Sequence, residues 1–221
     1  MIADGIKLIV SPQKWWDTCS PEYHFNGGRL ITELLMAATL PVTAVVLGHL
    51  GSFWLGYTQQ IIALQRAAIS FLTFTSGAVA LGAAMALVLF PIARNANVKT
   101  APEQIVLASL TIVSAGWISG IVQIIPPLLD MNPETGDFLW LLFAELAVFK
   151  TLSQGTARGL GVTRRWRMLF LVQTMTAFTL LFILFTIVPL LITRYLTGVT
   201  GETFYGPPPI TQWPYPPVPN W

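Results

Sequence analysis

Residues 104–129 read QIVLASLTIVSAGWISGIVQIIPPLL, a stretch without one charged side chain. As a helix rising 1.5 Å per residue it exceeds the roughly 30 Å of a bilayer's hydrocarbon. Its apolar residues neither alternate nor keep to one stripe, so every side of the helix faces other apolar groups. The backbone then has to satisfy its own hydrogen bonds, as it must in lipid. Pro126 and Pro127 close the segment, because two missing amide donors stop a helix.

Similar stretches lie on either side. From Glu33 to Gly56 only His49 is titratable beyond the first residue, and Ala67 to Ala93 is uncharged and closed by Pro91 before the polar loop Arg94 to Glu103. Downstream, DMNPETGD over Asp130 to Asp137 predicts a tight acidic turn in water. Phe138 to Gly155 predicts a shorter span interrupted by Glu145 and Lys150, and Met168 to Ile192 a last one, apolar apart from Gln173 and its threonines. The expected fold is all-α: a five-helix integral membrane bundle over 33–195, with spans at about 33–56, 67–93, 104–129, 138–155 and 168–192.

Composition agrees with this reading. Charged residues make up 10% of the chain, against about 25% in soluble domains. A net charge of +2 carries no general nucleic-acid footprint. One cysteine, Cys19, makes neither an intramolecular disulfide nor a redox pair. Cationic loops resist translocation, so the placement of Lys and Arg predicts orientation. Five spans put Lys7, Lys14, Arg29, Arg94, Lys99, Lys150, Arg158, Arg164, Arg165 and Arg167 on one side and only Arg66 and Arg194 on the other, ten against two. The N-terminus is therefore expected in the cytoplasm and the C-terminus outside, in the inner membrane of a bacterium.

Two terminal pieces stand apart. In the arm, 1–32, Ile2, Ile6, Ile9 and Val10 share a helical face, which predicts a short interfacial helix retained in the mature chain, with Trp15 and Trp16 at the headgroups. The tail, 196–221, ends GETFYGPPPITQWPYPPVPNW, too rich in proline for helix or central strand. Proline presets its torsions, so Phe204, Tyr205, Trp213, Tyr215 and Trp221 lose little entropy on docking against a partner subunit.

The order of elements, an amphipathic segment ending IVSPQKWWD and then five spans of which the third contains LASLTIVSAGWISGIVQIIPPL, resembles the small bacterial members of the Yip family. The likeness covers roughly residues 3–195, with its best local matches at Pro12 to Trp16 and Ser114 to Pro126. It implies a five-span bundle with a cytoplasmic N-terminus. Eukaryotic relatives are trafficking scaffolds. Glu145, where the family usually shows small or apolar residues, and the tail depart from the pattern.

Within the spans, Glu145 is the strongest polar candidate, since an ionisable group in hydrocarbon must be paired, protonated or turned to a cavity. His49 is expected in the same half of the bilayer and could meet it; alternatively Glu145 bonds a neighbouring Ser, Thr or partner helix. A pigment or haem contact at His49 would want a second axial ligand, and no other intramembrane His exists. Gly116 and Gly120 form GxxxG, and Ser76, Ala80 and Ala84 form a second small-residue row. Both suit close helix packing, within this bundle or onto a partner helix. Arg164, Arg165 and Arg167 suit lipid headgroups, although orientation alone accounts for cations there. No metal-ligand spacing, phosphate loop or nucleophile elbow is present. The expectation is a non-catalytic accessory or scaffold subunit of a larger membrane complex, respiratory or photosynthetic, without cofactor and with membrane subunits and lipids as partners. The alternatives are a stand-alone Yip-like membrane-organisation protein or a small transporter or channel using Glu145.

Overall fold

The computed structural model describes residues 10–19, 27–55, 60–125, 129 and 133–196, and among these the regular structure is entirely helical. In chain order the elements are α1 (Pro12–Cys19), α2 (Gly27–Trp54), α3 (Gln60–Asn95), α4 (Pro102–Ile118), α5 (Pro133–Thr151), α6 (Arg164–Phe182) and α7 (Val188–Leu196). A 3-10 stretch, Ser119–Ile124, prolongs α4; a π turn, Leu152–Thr156, and the short helix Ala157–Gly159 prolong α5; a second π turn, Ile183–Ile187, joins α6 to α7.

Among the described residues, three helical stretches are long and apolar enough to cross a membrane: Phe71–Asn95, Pro102–Ile124 and Arg164–Ile192. They differ in setting. The middle one is 78% buried inside the protein and the last only 22%. The segment around α4 is thus the axis on which α2, α3 and α5 pack, and α6 lies outside against α3 and α5. The outer faces carry Leu72, Leu87, Phe138, Leu146, Met168 and Leu180, all more than half exposed. A soluble surface does not sustain large apolar side chains on so many helices.

The turns at one end are built by a single device. Asn97 (φ 53°) and Gly161 (φ 68°) adopt the left-handed conformation. Val98 N–H donates to Ala93 O and Asn97 N–H to Arg94 O, while Val162 N–H donates to Ala157 O and Gly161 N–H to Arg158 O. These paired bonds are Schellman closures, which satisfy the last carbonyls of α3 and of the helix after the π turn. The GLG at 159–161 is therefore a helix stop. Arg94, Lys99, Arg158, Arg164 and Arg165 gather at this basic end. Arg94 and Arg158 fall in last helical turns, where the macrodipole favours cations.

Several expectations need correction. Pro91 does not stop its helix, which continues to Asn95. Its missing donor loses a single ladder bond, and the exposed ring has room on the helix's outer face. The stretch Asp130 to Asp137 is not all an aqueous turn: Pro133 opens α5, and Asp137 is buried. Proline at the first helical position followed by an acidic residue is a start signal, which the turn composition masked. Trp16 does not face headgroups. It is buried, and an added Cβ at Gly159 would lie 1.7 Å from its Nε1. Pro12 lies against Gly155 in the same way, 3.0 Å from the position of an added Cβ, and Arg158 donates to Gln13 Oε1 at 3.0 Å. α1 is thus clamped beneath the end of α5. Residues 1–9 and 20–26 of the arm and the tail aromatics Phe204, Tyr205, Trp213, Tyr215 and Trp221 lie outside the described residues.

Gly159→Ala should release α1 from the bundle. The expected outcome is a red-shifted Trp16 emission and faster protease cleavage within residues 12–19, with the rest of the bundle intact; an unshifted Trp16 would contradict the clamp.

Candidate functional site

The centre of the bundle is aromatic. Trp140 of α5 stands edge-to-face with Phe74 of α3 (4.9 Å between centroids), Trp117 of α4 (5.1 Å) and Phe182 of α6 (5.1 Å). Phe178 completes the cluster at 5.4 Å from Phe182. Edge-to-face contacts set positive ring edges against negative faces, worth about 0.5–1.5 kcal/mol per pair beyond area burial. All five rings are shut off from solvent.

Gly116 and Gly120 make room for this cluster. An added Cβ at Gly116 would lie 2.6 Å from Phe178 Cζ, and one at Gly120 2.5 Å from Pro41 Cβ and 2.8 Å from Trp140 Cε2. Both glycines thus pack within the chain, against α2, α5 and α6. The Gly116 carbonyl, where the α-helix begins to tighten into the 3-10 stretch, accepts Trp140 Nε1–H at 3.1 Å and Ser119 Oγ–H at 2.6 Å. The other small row is set differently. Ser76 is exposed and Ala80 and Ala84 are half-buried, while the buried face of α3 carries Phe74, Ala78, Leu81, Met85 and Leu89.

The polar side chains of the spans pair off between helices. Thr179 Oγ1 of α6 is hydrogen-bonded with Glu145 Oε1 of α5 and lies 2.9 Å from Met175 O, and its single proton serves these two oxygens. Gln123 Nε2 donates to Asp137 Oδ1 at 3.2 Å, joining the 3-10 stretch to the start of α5, with both side chains buried. Thr111 and Thr156 stand 3.5 Å apart, oxygen to oxygen, towards the basic end. Such bonds are worth about 0.6–2 kcal/mol between helices in a membrane. Trp117 Nε1, Thr174 Oγ1 and Thr186 Oγ1 are buried without a hydrogen-bond partner among the described residues.

His49 and Glu145 do not meet. Pro41 and Trp140 both sit against Gly120 and mark one level. His49 lies eight residues beyond Pro41, about 12 Å towards the end opposite the basic one, and Glu145 five residues beyond Trp140, about 7.5 Å the other way. Their separation along the axis is therefore about 20 Å. His49 is half-buried and has a partner of its own. Among the described residues no three His, Cys, Asp or Glu side chains group as metal ligands.

Arg164 and Arg165 are exposed, Arg167 is half-buried with Nε unpartnered, and Arg165 stacks 5.6 Å over the Trp166 ring. These cations occupy the first turn of α6, where the macrodipole works against them. Helix stability therefore does not account for their position.

Searches of protein-family models, curated proteins and solved structures give no match. Sequence reasoning missed Thr179, Gln123, Asp137 and Trp140. The Pro133–Glu134 start signal could have placed Asp137 inside a helix; nothing local signals the others, whose partners lie 14 to 34 residues away.

Trp140→Phe should cost about 1 kcal/mol, the net value of the lost hydrogen bond to Gly116. Trp140→Ala should cost about 3–5 kcal/mol, since it also empties the cluster's centre. Thermal unfolding in a mild detergent measures both. Equal losses would mean that ring packing at the cluster's centre contributes nothing beyond the hydrogen bond.

Proposed function

We propose that this protein is a non-catalytic accessory subunit of a larger bacterial membrane complex, a five-span scaffold that works through its surfaces and not through an internal site. The observation that carries this reading is the filled centre: the rings of Phe74, Trp117, Trp140, Phe178 and Phe182 occupy the middle of the bundle in mutual contact. A transporter needs polar groups around a cavity or path. Here Glu145 is half-buried on the α5–α6 side, bonded to Thr179, and the aromatic cluster stands between it and the Gln123–Asp137 pair. That leaves lipid and neighbouring subunits as what the exposed helix faces meet.

Five long helices, counting each helix with its 3-10 or π extension, support the two further spans at α2 and α5 beside the three apolar stretches. α2 holds the apolar piece Ala38–Gly51, and α5 spans 19 residues before its π turn. The basic end then lies in the cytoplasm of the inner membrane, by the rule that cationic loops stay inside, with Arg164, Arg165 and Arg167 at the headgroups. The tail leaves on the exterior and docks a partner subunit through Phe204, Tyr205, Trp213, Tyr215 and Trp221. Respiratory and photosynthetic assemblies are the hosts to examine first. A Yip-like role in membrane organisation uses the same architecture; the element order alone supports it. No cofactor is required, and a pigment or haem at His49 would want a second axial ligand.

Deletion of residues 201–221 should abolish co-purification with neighbouring subunits in mild detergent, read by mass spectrometry, while leaving the bundle's unfolding temperature unchanged. Glu145→Gln should leave assembly intact. A solute flux that disappears in Glu145→Gln would replace the scaffold reading with a transporter.

A further inference from the structure

Gly77 on α3 is a meeting point for polar groups of two other helices. A Cβ there would lie 2.7 Å from the Phe185 carbonyl oxygen, in the second π turn, and 3.6 and 3.7 Å from Cζ2 and Cη2 of Trp117 on α4. A single ring carbon separates Trp117 Nε1 from Cζ2, so the indole N–H belongs to the same neighbourhood. It is shut off from solvent and has no hydrogen-bond partner among the described residues. In a continuing α-helix the Phe185 carbonyl would accept from residue 189, which is proline and has no N–H. Thr186, next in the chain, is 1% exposed, and its Oγ1 is also unpartnered among the described residues. Thr75, Thr111 and Thr151 spend their hydroxyl protons on carbonyls three or four residues back. Within the π turn Thr186 does not.

We propose that these groups hold one structural water between α3, α4 and the π turn. The water accepts the Trp117 Nε1–H and the Thr186 Oγ1–H and donates to the Phe185 carbonyl oxygen. Three bonds of this kind are what a buried water ordinarily makes, and they use two donors and an acceptor that the chain leaves otherwise unspent. An indole N–H can only donate, so Trp117 needs an acceptor from outside its own helix. Leaving it and the hydroxyl unpaired in a closed interior is unfavourable. Both groups are enclosed by the chain, so neither lipid nor a neighbouring subunit reaches them. A larger polar ligand is disfavoured by the close approach of the Phe185 carbonyl to Gly77. The water thus ties α4 to the segment between α6 and α7, where the π turn and Pro189 interrupt the regular ladder.

The test uses the full chain in detergent micelles with 15N-labelled tryptophan, the Trp117 signal being the one lost in Trp117→Phe. Its indole proton should show a magnetisation-transfer peak to water while exchanging slowly with deuterated solvent. Thr186→Val keeps the shape and removes the hydroxyl, and should lower the unfolding temperature by about 2–4 °C. Added to Trp117→Phe, it should lower that temperature no further, because both changes break the same bridge. Thr186→Ser should keep the water peak that Thr186→Val weakens. Three results would each overturn the proposal. An unchanged or raised unfolding temperature in Thr186→Val means a hydroxyl that is simply unpaired. Additive losses in the double variant mean two groups without a common ligand. An upfield-shifted indole proton with no water peak means an N–H turned onto a neighbouring ring.

Discussion

Trp140 in the notch formed by Gly116 and Gly120 is the contact on which the rest of the bundle depends. The indole occupies space that any side chain at Gly120 would fill, and its N–H takes up a carbonyl at the point where α4 tightens into its 3-10 stretch. From that position the ring touches aromatic residues of α3, α4 and α6, while Pro41 brings α2 against the same glycine. Every long helix therefore meets near one level. In lipid, where burial of apolar area gives helices little reason to associate, this kind of close packing and interhelical hydrogen bonding has to hold them together.

The polar groups follow the same economy. Glu145 with Thr179, Gln123 with Asp137 and Thr111 with Thr156 each tie two helical segments at a different depth. Each pair satisfies groups that hydrocarbon could not, and each fixes the rotation of a helix about its axis. These paired polar atoms are thereby committed to architecture, whereas Trp117 Nε1, Thr174 Oγ1 and Thr186 Oγ1 are buried without a partner among the described residues. The basic end is an exception in kind: its Schellman turns and the clamped α1 form a tight platform beneath the bundle, whose cations suit an anionic leaflet.

The sequence made the long helices legible because uncharged runs of this length have few alternatives. Pattern alone carried less about what interrupts them. Pro91 reads as a stop only if the helix has nothing to hold it beyond the proline, and here packing of Ile92, Ala93 and Ala96 keeps the last turn in place. DMNPETGD has turn composition and a helix-start signal at once, and the buried Gln123 partner decided in favour of the helix for Asp137. Trp16 carries the amphipathic character of an interfacial anchor, yet its fate depended on Gly159, more than a hundred residues away, offering no Cβ. Glu145 was legible as unusual, but its Thr179 partner was not, because helix rotation is fixed by the assembled core and not by local periodicity.

Substituted-cysteine labelling in intact cells tests the account most directly, with Cys19→Ser as the background. The up-and-down bundle predicts that Lys99→Cys and Thr163→Cys react only after the membrane is opened, whereas Leu55→Cys and Leu129→Cys react from outside. Labelling of Lys99→Cys and Leu129→Cys from the same side would contradict it, since a single crossing by α4 has to separate them.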